Sequence, residues 1–289
     1  MKRPLSESVE EYGRGVAGGF LFSLPLLYTM EVWWHGFLAT PLKLIAYLAF
    51  TFVLLLGYNR FAGMREDAGW LDVVIDSVEE MGIGVLLSAL VLYLIGQIDG
   101  EMTRGELIGK IAIETGMVAV GVSVGTAQLG GGNGDDQDQG AEPKSGMQKD
   151  GGKGKRRHAS VADIFIGFCG AFLIAANVAP TEEIMMIAAE ASSGRLAALA
   201  LVSLATATVV LFFSDFRGSA RYSVVESGWK LAGIAATTYA IAALASALML
   251  WFFDRFDGVG LMFAVSQIVV LAFPAVIGAS AGRLLLQAE

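Results

Sequence analysis

Residues 161–189 read VADIFIGFCGAFLIAANVAPTEEIMMIAA. A hydrocarbon core about 30 Å thick is crossed by roughly 20 apolar residues in a helix, and this run supplies them. Yet it also carries Pro180 and two acids, Glu182 and Glu183. A charge at the bilayer centre costs roughly 2.5–3.5 kcal/mol on the lenient insertion scale, so an acid kept inside a span reads as a functional group. The stretch therefore sets both the fold expectation, a membrane-crossing helix, and the first candidate site.

The rest of the chain agrees with a membrane reading. It has 289 residues, of which 55% are hydrophobic and 17% charged, and a mean hydropathy of +0.60. That is too apolar for an ordinary soluble domain. Apolar runs near residues 15–34, 41–58, 81–98, 107–129, 161–189, 196–213, 229–253 and 261–286 predict an all-α, polytopic bundle of eight spans. Residues 1–13 are polar and the first apolar run is long enough to stay as an anchor, so no cleaved leader is expected. The single cysteine, Cys169, has no partner for an intrachain disulfide and reads as a small core residue. The net charge of -8 argues against nucleic acid.

Between the fourth and fifth runs, residues 130–158 read GGGNGDDQDQGAEPKSGMQKDGGKGKRRH. They lack the apolar content to bury anything and are expected to form a disordered linker. Three parts follow: a first four-helix repeat over 1–129, the linker, and a second four-helix repeat over 159–289. Most Lys and Arg fall at the termini, near residues 60–65, in the linker and near residues 217–230, whereas the other side keeps Lys43, Arg104, Lys110, Arg195 and Arg255. The positive-inside rule then places both termini and the linker in the cytoplasm of a bacterial inner membrane.

The two parts match each other. SALVLYLIGQIDG (88–100) lies over SALMLWFFDRFDG (246–258), and VGVSVG (120–125) over IGASAG (277–282). Gly18, Phe20, Leu21, Thr29 and Glu31 fall without a gap on Gly170, Phe172, Leu173, Thr181 and Glu183. An even number of spans per part makes the repeats parallel, about an axis along the membrane normal. The GxxxG pairs Gly121/Gly125 and Gly278/Gly282 are read as close helix-packing positions rather than pore lining.

Pro25 and Pro180 precede Glu31 and Glu183, and proline interrupts helices. Paired interruptions are the best sequence pointer to a transport site. The expected ion-binding or proton site is therefore Asn177, Thr181 and Glu183 with Thr29 and Glu31. Glu182 points away from Glu183, since successive helix positions differ by about 100°. The depth of Glu31, beside Trp33, Trp34 and His35, equally fits an interfacial role. Glu114, inside the fourth span and with no acidic counterpart in the eighth, is a second candidate proton site. Asp72, Asp76, Glu79 and Glu80 are spaced to share one helical face, read either as a cytoplasmic cation-attracting stripe or as a solvated surface. His35 and His158 lack partners at ligand spacing for zinc.

No HExxH, GxSxG, Walker or dinucleotide fingerprint is present, so no enzyme is expected. The acids beside interrupted helices look loosely like those of cation exchangers, although the motif residues do not match and the parallel halves differ from their inverted ones. The layout of two four-span halves, the segment Ala179–Glu183 (APTEE) and the central linker resembles a bacterial family of integral membrane proteins of unknown function. That resemblance covers most of the chain and implies no activity.

The expectation is a cation channel or cation/proton-coupled transporter. Its partners are the lipid bilayer and an inorganic cation or proton, a bound cation is its one implied cofactor, and homo-oligomerisation is compatible with it. The competing class is a membrane scaffold or sensor that binds partners through the linker and acidic face.

Overall fold

The computed structural model describes residues 5–27, 29–62, 69–128, 154–215 and 228–286. Every regular element among them is helical: α1 (Leu5–Leu27), α2 (Met30–Leu38), α3 (Pro41–Ala62), α4 (Trp70–Leu94), α5 (Arg104–Gln128), α6 (Gly154–Val178), α7 (Glu182–Glu190), α8 (Ser193–Asp215), α9 (Gly228–Phe252) and α10 (Leu261–Leu286). Backbone polar groups in a bilayer must be satisfied internally, which an α-helix does within one segment. Seven of the helices are long and apolar enough to cross a membrane.

The first expected span is absent from those seven because it is divided. α1 opens with Glu7, Glu10, Glu11 and Arg14, and the apolar run continues in α2, only nine residues long. The fifth expected span is divided in the same way between α6 and α7. Two boundaries differ from expectation. The acidic run from Asp72 is continuous with the third span inside α4. Residues 154–158, assigned to the linker for want of apolar content, belong to α6, since Lys and Arg are good helix formers. The linker positions 130–153 lie outside the described residues.

Each half has a hub. α5 is packed by α1, α2, α3 and α4, and α10 by α6, α7, α8 and α9. α5 is the most enclosed of the seven spans. The halves meet where α6 packs against α1, α3 and α5, with Phe50 of α3 set edge-on to Phe168 and Phe172 at 5.8 Å. Large apolar side chains such as Leu42, Leu71, Leu201 and Leu261 lie exposed on the outside, as a surface solvated by lipid requires.

The glycines set how closely the helices approach. A Cβ on Gly18 would strike the backbone of Gly125 and come within 2.7 Å of Gly121 O, and one on Gly278 would strike Gly170 O. Gly121, Gly125 and Gly278 thus serve packing, as expected. Gly15 lies against Val122 and Thr126, Gly19 against Val118, and Gly36 against Gly109 and Lys110. α1 and α2 therefore run antiparallel along nearly the whole of α5 as one interrupted ribbon.

Helix ends recur at aligned positions. After α4, Gly96 N–H donates to Tyr93 O and Gln97 N–H to Leu92 O, and after α9 Asp254 N–H donates to Trp251 O and Arg255 N–H to Leu250 O. Both are Schellman caps closed by a left-handed residue: Gly96 at φ 73° and Asp254 at φ 58°. Lys110 Nζ donates to Gln97 O, and Gln267 Nε2 to Arg255 O, so one side chain from each hub helix ties down each cap.

Candidate functional site: an interrupted helix over a buried acid

The two interruptions fall at Thr29 and Thr181, positions aligned in the sequence. Each is the N-cap of a nine-residue helix, and neither side chain caps it. Thr29 Oγ1 donates back to Pro25 O at 2.7 Å, and Thr181 Oγ1 to Val178 O at 2.8 Å. Pro180 lies within its interruption, whereas Pro25 sits inside α1 and the chain breaks a few residues later. A break frees carbonyls at the end of the preceding helix. In the first half Trp33 Nε1 takes Leu27 O at 3.0 Å. In the second half the Arg255 guanidinium donates to Pro180 O and lies 3.2 Å from the Met185 sulfur.

Glu114 lies opposite the first interruption. Along α5, Lys110, Glu114, Val118, Gly121 and Gly125 follow each other at steps of four, four, three and four residues, which is one helical stripe. Val118, Gly121 and Gly125 face α1, and Lys110 faces Gly36 of α2. Glu114 stands between them on that stripe, level with the chain between Gly19 and Gly36, where the break occurs. It is fully buried, and among the described residues neither carboxyl oxygen has a hydrogen-bond partner. Lys110, one turn away and able to pair with it, turns instead to Gln97 O. The nearby Tyr47 hydroxyl is spent on Ile113 O at 3.0 Å. A carboxylate buried without a partner is costly to hold charged. Leu271 occupies the aligned position in α10 and is also fully buried.

The residues proposed from the sequence fall in different places. Glu31 is half-buried and Glu182 and Glu183 are exposed, all in the first turns of α2 and α7, where a negative charge interacts favourably with the helix dipole. α2 packs on α5 and α7 on α10, and among the described residues no hydrogen bond or ion pair joins Glu31 to Glu183. Asn177 reaches across the halves: its Nδ2 donates to Leu173 O at 2.6 Å and stands 3.5 Å from Phe22 O of α1, leaving a buried Oδ1 without a partner.

The acidic stripe also divides. Asp72 and Glu79 are exposed and Asp76 half-buried, but Glu80 is buried. The four positions span about 100° of helix, wide enough for its edge to turn inward. Asn59 Nδ2 donates to Glu80 Oε2 at 2.7 Å and approaches Ser77 Oγ at 3.1 Å. Ser77 Oγ donates to Val73 O, and Ser123 Oγ to Asn59 Oδ1 at 2.9 Å. Asn59, Ser77 and Ser123 were not singled out from the sequence; the legible signal was an asparagine directly at the end of an apolar run.

A second polar cluster lies where the α2–α3 corner meets the turn after α9. Lys43 pairs with Asp254, and His35 Nε2 donates to Phe252 O at 2.7 Å, 3.9 Å from the Asp254 carboxylate. It fastens the first half to the cap of α9. Among the described residues, no group of His, Cys, Asp and Glu is arranged to hold a metal ion.

A helical bundle with an apolar outer surface, two interrupted helices and buried acids defines a polytopic integral membrane protein. Residues 11–286 match the family described as "Putative integral membrane protein (DUF2391)", and the chain belongs to that family. No curated protein and no solved structure matches it.

Proposed function

We propose that the protein moves a cation or a proton across the membrane, with Glu114 as the binding carboxyl and the α1/α2 interruption as the backbone that opens beside it. The observation that carries this reading is the pair of unpartnered Glu114 oxygens, fully buried opposite a break in the facing helix. Discontinuous helices with free backbone groups beside a carboxyl are the recurring construction of ion-coupled transport sites. Matching interruptions at Thr29 and Thr181, and matching caps at Gly96 and Asp254, support a parallel internal repeat with both termini on the cytoplasmic face of a bacterial inner membrane. The protein acts without catalysing a reaction. Glu31, Glu182 and Glu183 serve as first-turn charges at the ends of that path.

The test is ion flux in proteoliposomes, with monovalent and divalent cations and a pH-sensitive dye. Flux in the wild type that falls to background in Glu114→Gln supports the reading. Undiminished flux in that variant, or none in the wild type across all ions, sinks it and leaves the scaffold reading, in which deletion of residues 130–150 abolishes partner binding. Voltage-driven current marks a channel, and electroneutral proton countermovement marks an exchanger.

A further inference from the structure

Lys110 carries a charge that its visible task does not require. Its Nζ donates to Gln97 O at 3.0 Å and ties down the cap of α4. At the aligned position of α10, Gln267 Nε2 ties down the cap of α9 through Arg255 O at 3.2 Å. An uncharged amide thus does the same work in the second half. Lys110 is nevertheless buried, only 5% exposed, where an ammonium group is costly unless a counter-charge accompanies it.

The counter-charge within reach is Glu114. Side chains four residues apart on a helix have Cβ atoms about 5–6 Å apart, and the later one leans back over the turn of the earlier. Glu114 therefore leans towards Lys110, and its two buried oxygens have no hydrogen-bond partner among the described residues. The two charges are also absent together, since α10 has Gln267 and Leu271 at the aligned positions, both fully buried. The other charged or titratable groups around the pair are engaged elsewhere. Glu106, one turn before Lys110, accepts from the Thr103 amide and hydroxyl. From α3, Tyr47 Oη donates to Ile113 O and Lys43 pairs with Asp254. From α2, His35 Nε2 donates to Phe252 O, and Glu31 stands in the first turn. No carboxyl, imidazole, amine or guanidinium occurs in α1 between Gly15 and Leu27 or in α4 between Gly84 and Leu94, where Tyr93 is exposed.

We propose that Lys110 is the resident competitor of the transported ion at Glu114. With a proton or cation on the carboxyl, the ammonium rests on Gln97 O. When the ion leaves, the ammonium swings one turn inward and pairs with the ionised Glu114, so that the empty site is not a bare charge among apolar side chains. The carboxyl has one seat, and lysine and ion take it in turn. This deepens the transport reading and rests on it.

The test is Lys110→Gln, which gives the first half the amide of the second, keeps a donor for Gln97 O and removes the competitor. Flux in proteoliposomes is measured against concentration for protons, sodium, potassium and magnesium in turn. The concentration for half-maximal flux is expected to fall about 5–150-fold, the range of ordinary coupling between two binding events. The maximal rate should fall as well, because nothing displaces the ion, whereas a lysine that only held the cap would leave half-saturation where it was. Half-saturation unchanged in Lys110→Gln, with flux still abolished by Glu114→Gln, overturns this inference and leaves the transport reading standing. Flux that survives Glu114→Gln, or is absent from the wild type, overturns both. Should Lys110→Gln fail to fold, hydrogen exchange of the wild type in detergent decides. Residues 92–100, the cap tied by Lys110, should exchange faster without the ion that the wild type carries than with it. Residues 250–258, tied by Gln267, should not change, and Glu114→Gln should abolish the difference. Exchange of residues 92–100 that ignores the ion overturns the inference.

Discussion

The two interruptions are built alike and finished differently. Both start a nine-residue helix at an aligned threonine with an acid in its first turn, and both lie along a hub helix. In the second half the break is closed: Arg255 occupies Pro180 O and the facing position is Leu271. In the first half the aligned position is Glu114, and no described cation reaches it. A guanidinium and a leucine close one break, while the other is left facing an acid. Under the proposed function, those side chains are what separates a structural break from an ion path.

Exchanging those side chains should break the comparison most visibly. Glu114→Leu gives the first half the residue of the second. Flux is expected to fall to background, while stability rises by about 1–4 kcal/mol, the range seen when buried charged groups give way to packed apolar ones. Flux assays and chemical unfolding of the same preparation check both signs. A variant that lost stability instead would mean that Glu114 has a structural partner.

Next in size is the seal itself. Arg255→Met strands the Pro180 carbonyl, and leaving one buried acceptor unmatched costs about 1–3 kcal/mol. The drop should appear as a lower midpoint of unfolding. Comparable losses, about 1–3 kcal/mol from overpacking, are expected for Gly18→Ala and Gly278→Ala. Each puts a methyl where backbone already stands. Unequal losses in that pair would show that the two helix crossings are not mechanically alike.

The smallest effect belongs to the acids that the sequence made most prominent. The double variant Glu31→Gln plus Glu183→Gln should keep its flux and lower the midpoint of unfolding only slightly, since a first-turn charge exposed at a helix start is screened by its surroundings. Loss of flux there, measured in the same liposomes, would move the proposed ion path from Glu114 to the short helices.

Much of the fold was legible because its signals are local. Apolar length placed the spans, proline and a polar run at 177–183 marked an interruption, and GxxxG marked the closest crossings. The site was less legible because its meaning is relational. Glu114 and Glu80 were both visible as acids, but their ranking depended on partners in other helices. Lys110 is placed to neutralise Glu114 and is diverted to Gln97 O. Glu80 shares a stripe with exposed acids but lies at its inward edge, where Asn59, itself held by Ser123, meets it. Arg255 reads as an ordinary outer-loop cation, and only the fold carries it to Pro180, 75 residues earlier in the chain. Glu31 and Glu183 drew attention through charge cost within an apolar run, a measure that does not see that each run has ended and a new helix has begun.

The glycine contacts along α5 have a mechanical meaning. Gly18 holds the ribbon of α1 and α2 against Gly121 and Gly125 near one end, and Gly36 holds it against Gly109 near the other. Backbone pressed on backbone at those points resists sliding, since even a methyl group does not fit there. A beam clamped at both ends bends only between its clamps. Between these two lies the interruption, with Glu114 beneath it, so any flexing of the ribbon is delivered to the one stretch whose hydrogen bonds are already broken.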